Sequence, residues 1–342
     1  MLRSFTIRSA VCVGLAIAAA PAALAQYSTG FEAPVYSGDA DGEALTNGFG
    51  GPPGVDNWYN PVTGTTDFRM YTYLGNTLNI PPNPRGCNQF VAGRREDVTT
   101  FCARAQRNVD FSSAGVWEAE YDVCALFTGT LPTAQNIGSW SMQDSLTSRF
   151  FQSIWVWTDI ATGTNWNGQY NAYNSTGAAT NFLSPGPEWN NLNVNQWYRM
   201  RQRWNFTTNQ ILEVSITDLD TGITTTVNPT DWWLTGGSTP TLPLPTGTRL
   251  FVGGGTCAAG TGGAGNVMAF DNFRIAPVGA APCPGDINGD LTVDITDLAI
   301  LLSAYGSTAC ESGYNAAADS DGDGDVDLAD LASLLSLFGT TC

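Results

Sequence analysis

The segment Asp286-Ile-Asn288-Gly-Asp290-Leu-Thr292-Val-Asp294-Ile-Thr-Asp297 recurs 33 residues later as Asp319-Ser-Asp321-Gly-Asp323-Gly-Asp325-Val-Asp327-Leu-Ala-Asp330. Each copy sets side-chain oxygens at loop positions 1, 3, 5, 9 and 12, with position 7 offering its backbone carbonyl. A hard cation that takes six to eight oxygen ligands needs this donor set, and calcium is the cation that fits. Each loop is followed by an apolar stretch at helical spacing, Leu298-Ala-Ile-Leu-Leu and Leu331-Ala-Ser-Leu-Leu, and then by Gly306 or Gly339 as a helix stop. The pattern predicts two loop-helix units holding two calcium ions. Such a module has little apolar material of its own, and without the cation several carboxylates repel in each loop, so folding should depend on calcium.

This duplicated loop-helix pattern resembles a type I dockerin, a small EF-hand-like helical module that attaches a protein to a cohesin-bearing partner. The resemblance covers residues 283–342. The second loop matches the family pattern at every ligand position, with Gly324 at the turn and Asp330 at position 12. In the first loop Leu291 replaces the turn glycine, which predicts a weaker site there. At positions 10 and 11, where the family reads cohesin through small hydroxyl residues, this chain has Ile295-Thr296 and Leu328-Ala329. The resemblance therefore implies calcium more directly than it implies a cohesin partner.

Charge sharpens the division of the chain. Residues 283–342 carry eleven acids and no basic residue, whereas all 14 basic residues of the chain are arginines lying upstream. Ala276-Pro-Val-Gly-Ala-Ala-Pro282 is small and uncharged, and reads as a linker between residues 26–275 and the tail. The chain has neither lysine nor histidine, which excludes imidazole general bases, Ser-His-Asp triads, His-ligated zinc, Schiff bases and P-loops. A formal charge of −17 argues against nucleic acid as a partner.

Residues 1–25 have the form of a secretory signal. Arg3 and Arg8 precede a short apolar run, and Ala23-Leu-Ala25 has the small-x-small form of a cleavage site. No later segment reaches the roughly 20 apolar residues of a membrane span. Secretion or cell-surface association after cleavage near Ala25 is the expectation. Cleavage leaves cysteines 87, 102, 124, 257, 283, 310 and 342, an odd number, so one thiol is free or intermolecular. Four lie in the body and three in the tail, which suggests two bridges in the body and one in the tail, with connectivity open.

The body reads as mainly β. Short alternating runs lie between Gly, Thr and Asn turn clusters, with strands expected at 68–74, 116–127, 151–158, 197–204, 211–217, 249–252 and 267–275. Leu212, Val214 and Ile216 alternate with Glu213 and Ser215 ahead of an Asp218–Gly222 hairpin turn. About 250 residues of this kind suit one large jelly-roll sandwich. Gly30-Phe-Glu32, Trp197-Tyr-Arg199 and the closing Ala269-Phe-Asp-Asn-Phe-Arg-Ile275 make the layout similar to the concanavalin A-like lectin/glucanase superfamily, including laminin-G-like modules. That resemblance implies a structural calcium site, which would here fall on Glu32 and Asp271.

Two candidate sites follow for the body. Alternation puts Glu118, Glu120 and Asp122 on one strand face and Trp117, Ala119, Tyr121 and Val123 on the other. A retaining glycosidase needs two carboxyl groups about 5–5.5 Å apart. The glucanase branch of the superfamily uses Glu-x-Asp-x-(x)-Glu, where this chain has Glu-x-Glu-x-Asp. The opposing reading is that Arg199, Arg201 and Arg203, on one face of their own strand, pair with the three acids as a ladder. Carbohydrate binding is the other functional reading, with Trp155, Trp157, Trp166 and Tyr170 as stacking platforms that could equally fill the core. The sequence thus points to an exported lectin-like sandwich that binds a polysaccharide or surface glycan, with a dockerin-type tail for attachment. A glycoside hydrolase of β-glucan-like chains and a structural envelope or adhesion protein stay open beside it.

Overall fold

The computed structural model describes residues 27–32, 35–62, 65–85, 88–95, 102–111, 115–128, 134–143, 149–239, 244–253, 265–278, 285–288, 292–308, 311, 313–315, 317–321 and 324–341. The leader read at 1–25 lies outside them. Two antiparallel sheets form the body. The first runs in spatial order β14 (Thr224–Val227), β13 (Gln210–Asp218), β12 (Tyr198–Asn205), β6 (Val116–Phe127), β16 (Asn266–Pro277), β4 (Gln89–Arg94), β3 (Phe68–Thr72) and β2 (Glu43–Ala44). β1 (Tyr27–Thr29) pairs with the later part of β16. The second runs β10 (Ala179–Leu183), β9 (Asn165–Tyr173), β8 (Arg149–Trp157), β7 (Asn136–Gln143), β15 (Gly247–Val252) and β5 (Ala103–Asn108), with β11 (Leu192–Asn193) on β9.

The alternation of β6 places its residues as the sequence requires. Trp117, Ala119, Tyr121 and Val123 enter the core between the sheets, while the three acids face outward on the first sheet. Tyr121 packs 5.3 Å from Trp140 of the second sheet and 5.8 Å from Phe273 of its own. Aromatic rings fill the interior from both layers, which is where a sandwich of this size gains most of its burial.

Three expectations are corrected. Between Arg203 and Trp204 the register of β12 against β13 slips by one, a β-bulge. Ile211 rather than Leu212 therefore joins Val214 and Ile216 in the core. β16 runs to Pro277, and the N–H of Val278 donates to Val116, so the last strand extends into the segment read as linker. Cys124, finally, is a buried free thiol. It lies in a second apolar cluster with Tyr73, Phe90 and Trp197, and burial pushes its pKa up. The body therefore holds at most one disulfide among its other three cysteines, not two.

The tail forms α1 (Ile295–Ala304) and α2 (Leu328–Leu337), each beginning directly after a repeated loop. The two copies clasp each other. Val293 of the first loop donates to Thr340 and accepts from Gly339, just beyond α2; Val326 of the second donates to Ser307 and accepts from Gly306, just beyond α1. Gly306 and Gly339 hold φ of 80° and 86°, which ends each helix and turns the chain toward that bond. The core beneath is small, built on Val293, Leu301, Ala304, Ala318, Val326 and Leu334. No described helix is long and apolar enough to cross a membrane.

Candidate functional site

In the tail, the second loop gathers its acids. Carboxylate oxygens of Asp319, Asp321 and Asp330 lie within 4.8 Å of one another, as do those of Asp325, Asp327 and Asp330. No basic residue exists in the tail to neutralise them, and this donor chemistry fits a hard cation such as calcium. Asp323, in the second loop, and Asp290 and Leu291, in the first, lie outside the described residues. Of the first loop the structure describes Asp286, Asn288, Thr292, Asp294 and Asp297.

The acids at positions 9 and 12 have a second task that spacing alone did not suggest. Asp294 and Asp327 are the N-caps of α1 and α2, and each forms a reciprocal capping box with Asp297 or Asp330 three residues on. Asp297 also accepts from the N–H groups of Ile287 and Asn288 at 2.7 and 3.0 Å, and Asp330 from that of Ser320 at 2.6 Å. One carboxylate thus ties the loop entrance to the helix start in both copies. Burial pushes the Asp330 carboxyl up, but the N–H groups of Asp327 and Ser320 and the Ser320 hydroxyl outweigh it and hold the group below the usual carboxylate range. It stays anionic for a cation. Tyr314 was missed altogether, and its hydroxyl donates to Asp319 at 2.5 Å, supporting the loop's first carboxylate from outside the loop.

Gly324 holds φ of 95°, where an L side chain is strained. Gly324→Ala should weaken calcium binding at the second loop about tenfold, the equivalent of roughly 1–2 kcal/mol of backbone strain. Calorimetric titration of the calcium-free protein reads this, and an unchanged affinity would show that the loop does not need this turn.

On the body, β6 and β12 are neighbours, with Glu118 opposite Arg203, Glu120 opposite Arg201 and Asp122 opposite Arg199. Glu118 is held on both oxygens, by Arg203 at 2.6 Å and by Arg274 at 2.9 Å. Asp122 meets Arg199 at 2.9 Å, and Glu120 lies 3.6 Å from the same guanidinium. Arg201 turns to Glu213 of β13 at 2.6 Å. Four acids and four arginines make a balanced lattice across β6, β12, β13 and β16. A glycosidase pair needs an acid able to give up a proton and a nucleophile open to substrate. The carboxylates of Glu118 and Asp122 are instead engaged on both oxygens.

Asp271 stands directly opposite Asp122 on the same face of the first sheet, and a bulge follows it in β16 at Asn272, whose φ is 47°. Both aspartates are fully buried. The Asn83 amide bridges them at 3.0 and 3.2 Å, Tyr73 donates to Asp271 at 2.7 Å and the Asn272 amide to Asp122 at 2.8 Å. Burial first, and then the Asp122 charge, push the Asp271 carboxyl well above the usual range. Glu32, expected to share a calcium ion with Asp271, accepts from the N–H groups of Asn88 and Gln89 at 2.8 and 2.7 Å. Among the described residues this pair belongs to no cluster of three metal-ligating side chains.

The four aromatics read as stacking platforms are core. Trp155, Trp157, Trp166 and Tyr170 are all at most 1% exposed and present no face to a sugar. β9 carries the polar counterpart, because Asn165, Asn167, Gln169, Asn171 and Tyr173 alternate with the buried rings and face outward, partly exposed.

The chain's comparisons with known proteins fall on this geometry in two parts. Residues 284–336 match the dockerin type I domain family. The tail is therefore dockerin-like. No curated protein matches the chain. Among solved structures, the chain is similar to a marine PL-14 alginate lyase from Aplysia kurodai, at 12% identity and a TM-score of 0.36, over 56% of this chain and 84% of that one. It is also similar to lectin UEA-II complexed with galactose, at 7% identity and a TM-score of 0.36, over 55% and 86%. A carbohydrate esterase from the Shiga toxin-encoding bacteriophage phi24B gives 13% identity and a TM-score of 0.34, over 56% and 81%.

Proposed function

We propose that this is an exported carbohydrate-binding protein whose sandwich engages a polysaccharide or surface glycan and whose dockerin-like tail, loaded with two calcium ions, attaches it to a protein partner. The dockerin match over residues 284–336, together with the converging carboxylates of Asp319, Asp321 and Asp330, carries the attachment half. The acids themselves would hold the ions, and the charge they supply would fix loop and helix together. For the sandwich, two features favour binding over hydrolysis. The outward acids of β6 are engaged in ion pairs, and the outward row on β9 carries four amides, of which Asn165, Asn167 and Asn171 bond protein neighbours while Gln169 offers its amide to sugar hydroxyls.

The test incubates residues 26–342 with calcium on a panel of insoluble polysaccharides and measures both protein depleted from solution and reducing ends released. Depletion without release is the expected result. Release that disappears in Glu118→Gln would make the protein a hydrolase. Neither depletion nor release across neutral and acidic glycans would leave the structural or adhesive role.

A further inference from the structure

A cavity of about 430 Å³ lies where β4 and β6 end, walled also by the loop after β3, the turn between β8 and β9 and the segment between β11 and β12. Its size falls in the range of small-molecule sites, about 300–1,000 Å³, at the end suited to a short saccharide terminus. Leu78 and Leu126 form the apolar part of the lining and belong to the buried cluster around Phe90 and Trp197, so that wall is rigid.

The polar lining is unusual in lacking protein partners. Arg94 has neither an ion pair nor a side-chain hydrogen bond among the described residues, and its Nε is fully buried without an acceptor. Every other arginine whose side chain is described has a partner, as with the four in the lattice, Arg107 on Asp56, Arg69 on Gly42 and Arg249 on Gln106. A buried, unsatisfied donor is costly enough to require an explanation.

Asn79 and Asn195 line the same cavity with φ of 57° and 56°. Their backbones are fixed by hydrogen bonds to Asn76 and Ala125, while their side-chain amides have no protein partner among the described residues. Thr77 adds a hydroxyl beside them. Residues held at positive φ with outward, unused polar groups are a recurrent feature of binding sites.

We infer that this cavity binds a sugar unit bearing one carboxylate, with Arg94 pairing the carboxylate and Asn79, Asn195 and Thr77 reading ring hydroxyls. One guanidinium balances one carboxylate. Among the described residues the lining holds no second cation, and this and the −19 formal charge left once Arg3 and Arg8 are removed with the leader both disfavour a densely charged polyanion. The ligand is thus a uronic acid unit, at a chain end or within an otherwise neutral glycan. This inference rests on the glycan-binding reading and assigns that reading a site and a sugar class.

The full mature chain with calcium is titrated calorimetrically with glucuronate, galacturonate, mannuronate and their disaccharides, with the matching neutral sugars and with inorganic sulfate. At least one uronate should bind tenfold or more tightly than its neutral counterpart. Arg94→Gln should remove that preference while leaving the melting temperature of the sandwich within a few degrees. Asn195→Asp suits the same positive-φ backbone, adds a negative charge to the lining, and should weaken uronate at least tenfold more than it weakens the matching neutral sugar. Uronate binding insensitive to both variants would overturn the site. Retention of a neutral polysaccharide with no uronate binding would overturn the sugar class while the glycan-binding reading stands. Sulfate binding as tightly as uronate would show an anion hole with no saccharide recognition. No sugar of any kind bound would overturn both readings.

Discussion

Excess chelator added to residues 280–342 should abolish their helical circular dichroism, and calcium should restore it. The expectation follows from how little else holds the unit together. Among the described residues, six side chains, two of them alanines, make up its buried core. A module of this size buries too small a share of its surface to stand on apolar contacts alone. Its eleven acids face no basic residue within the unit. A cation bound only by the folded form stabilises it by about 4 kcal/mol at a thousandfold excess over its dissociation constant, per site. The clasp between the copies makes the loss cooperative, since Val293 is bonded beyond α2 and Val326 beyond α1. Loss of one loop removes a bond that ends the other helix. The sandwich has a large core of its own, so in the full chain its thermal transition should move little with chelator. Ellipticity of the tail that persists in excess chelator would show that the clasp and small core suffice without the metal.

Most of that tail could be read from the sequence, because two copies of a spaced motif report both ligand type and loop length. The capping boxes were harder to see, since the calcium-loop spacing already accounts for Asp297 and Asp330 and the signature usually carries Glu or Gln at that place. In the body, the seven strands rich in branched and aromatic residues were found at nearly their full lengths. β9, Asn-Trp-Asn-Gly-Gln-Tyr-Asn-Ala-Tyr, was not recognised as a strand, because asparagine and glycine are turn residues by propensity. Its alternation of buried and half-exposed positions was nonetheless present in the sequence. The arginine ladder was legible because two strands carried opposite charges at the same period of two. What no pattern could show were the bulges. One exchanges Leu212 for Ile211 in the core, and the other, after Asp271, puts Phe273 in the core and Arg274 opposite Glu120. The cavity beside Arg94 was invisible for a related reason, since its walls come from chain segments distant in sequence.

Removing Asp122 should be the most damaging single substitution on the outward face of the first sheet. Its carboxylate is fully buried and accepts from Arg199, Asn83 and Asn272, so Asp122→Ala strands one guanidinium and two amides at once. Breaking a buried ion pair by deleting one partner costs about 3–5 kcal/mol. For a domain of this size that is a fall in melting temperature of about 6–20 °C. Asp271→Asn should behave in the opposite way. Burial and the neighbouring Asp122 charge raise the Asp271 carboxyl, so the native state binds a proton that the unfolded chain releases in the ordinary aspartate range, near 3.9. The stability this group contributes is complete below that range and is lost as pH rises from it toward the raised folded value. An amide at position 271 carries no such charge. Asp271→Asn should therefore be as stable as the parent in acid and equally or more stable at neutral pH, with a flatter dependence between. Thermal melts of the parent, Asp122→Ala and Asp271→Asn from pH 4 to pH 8 measure all three curves. If Asp271→Asn loses stability at neutral pH as Asp122→Ala does, then Asp271 is a charged structural partner, and the two aspartates do not divide their roles as their contacts indicate.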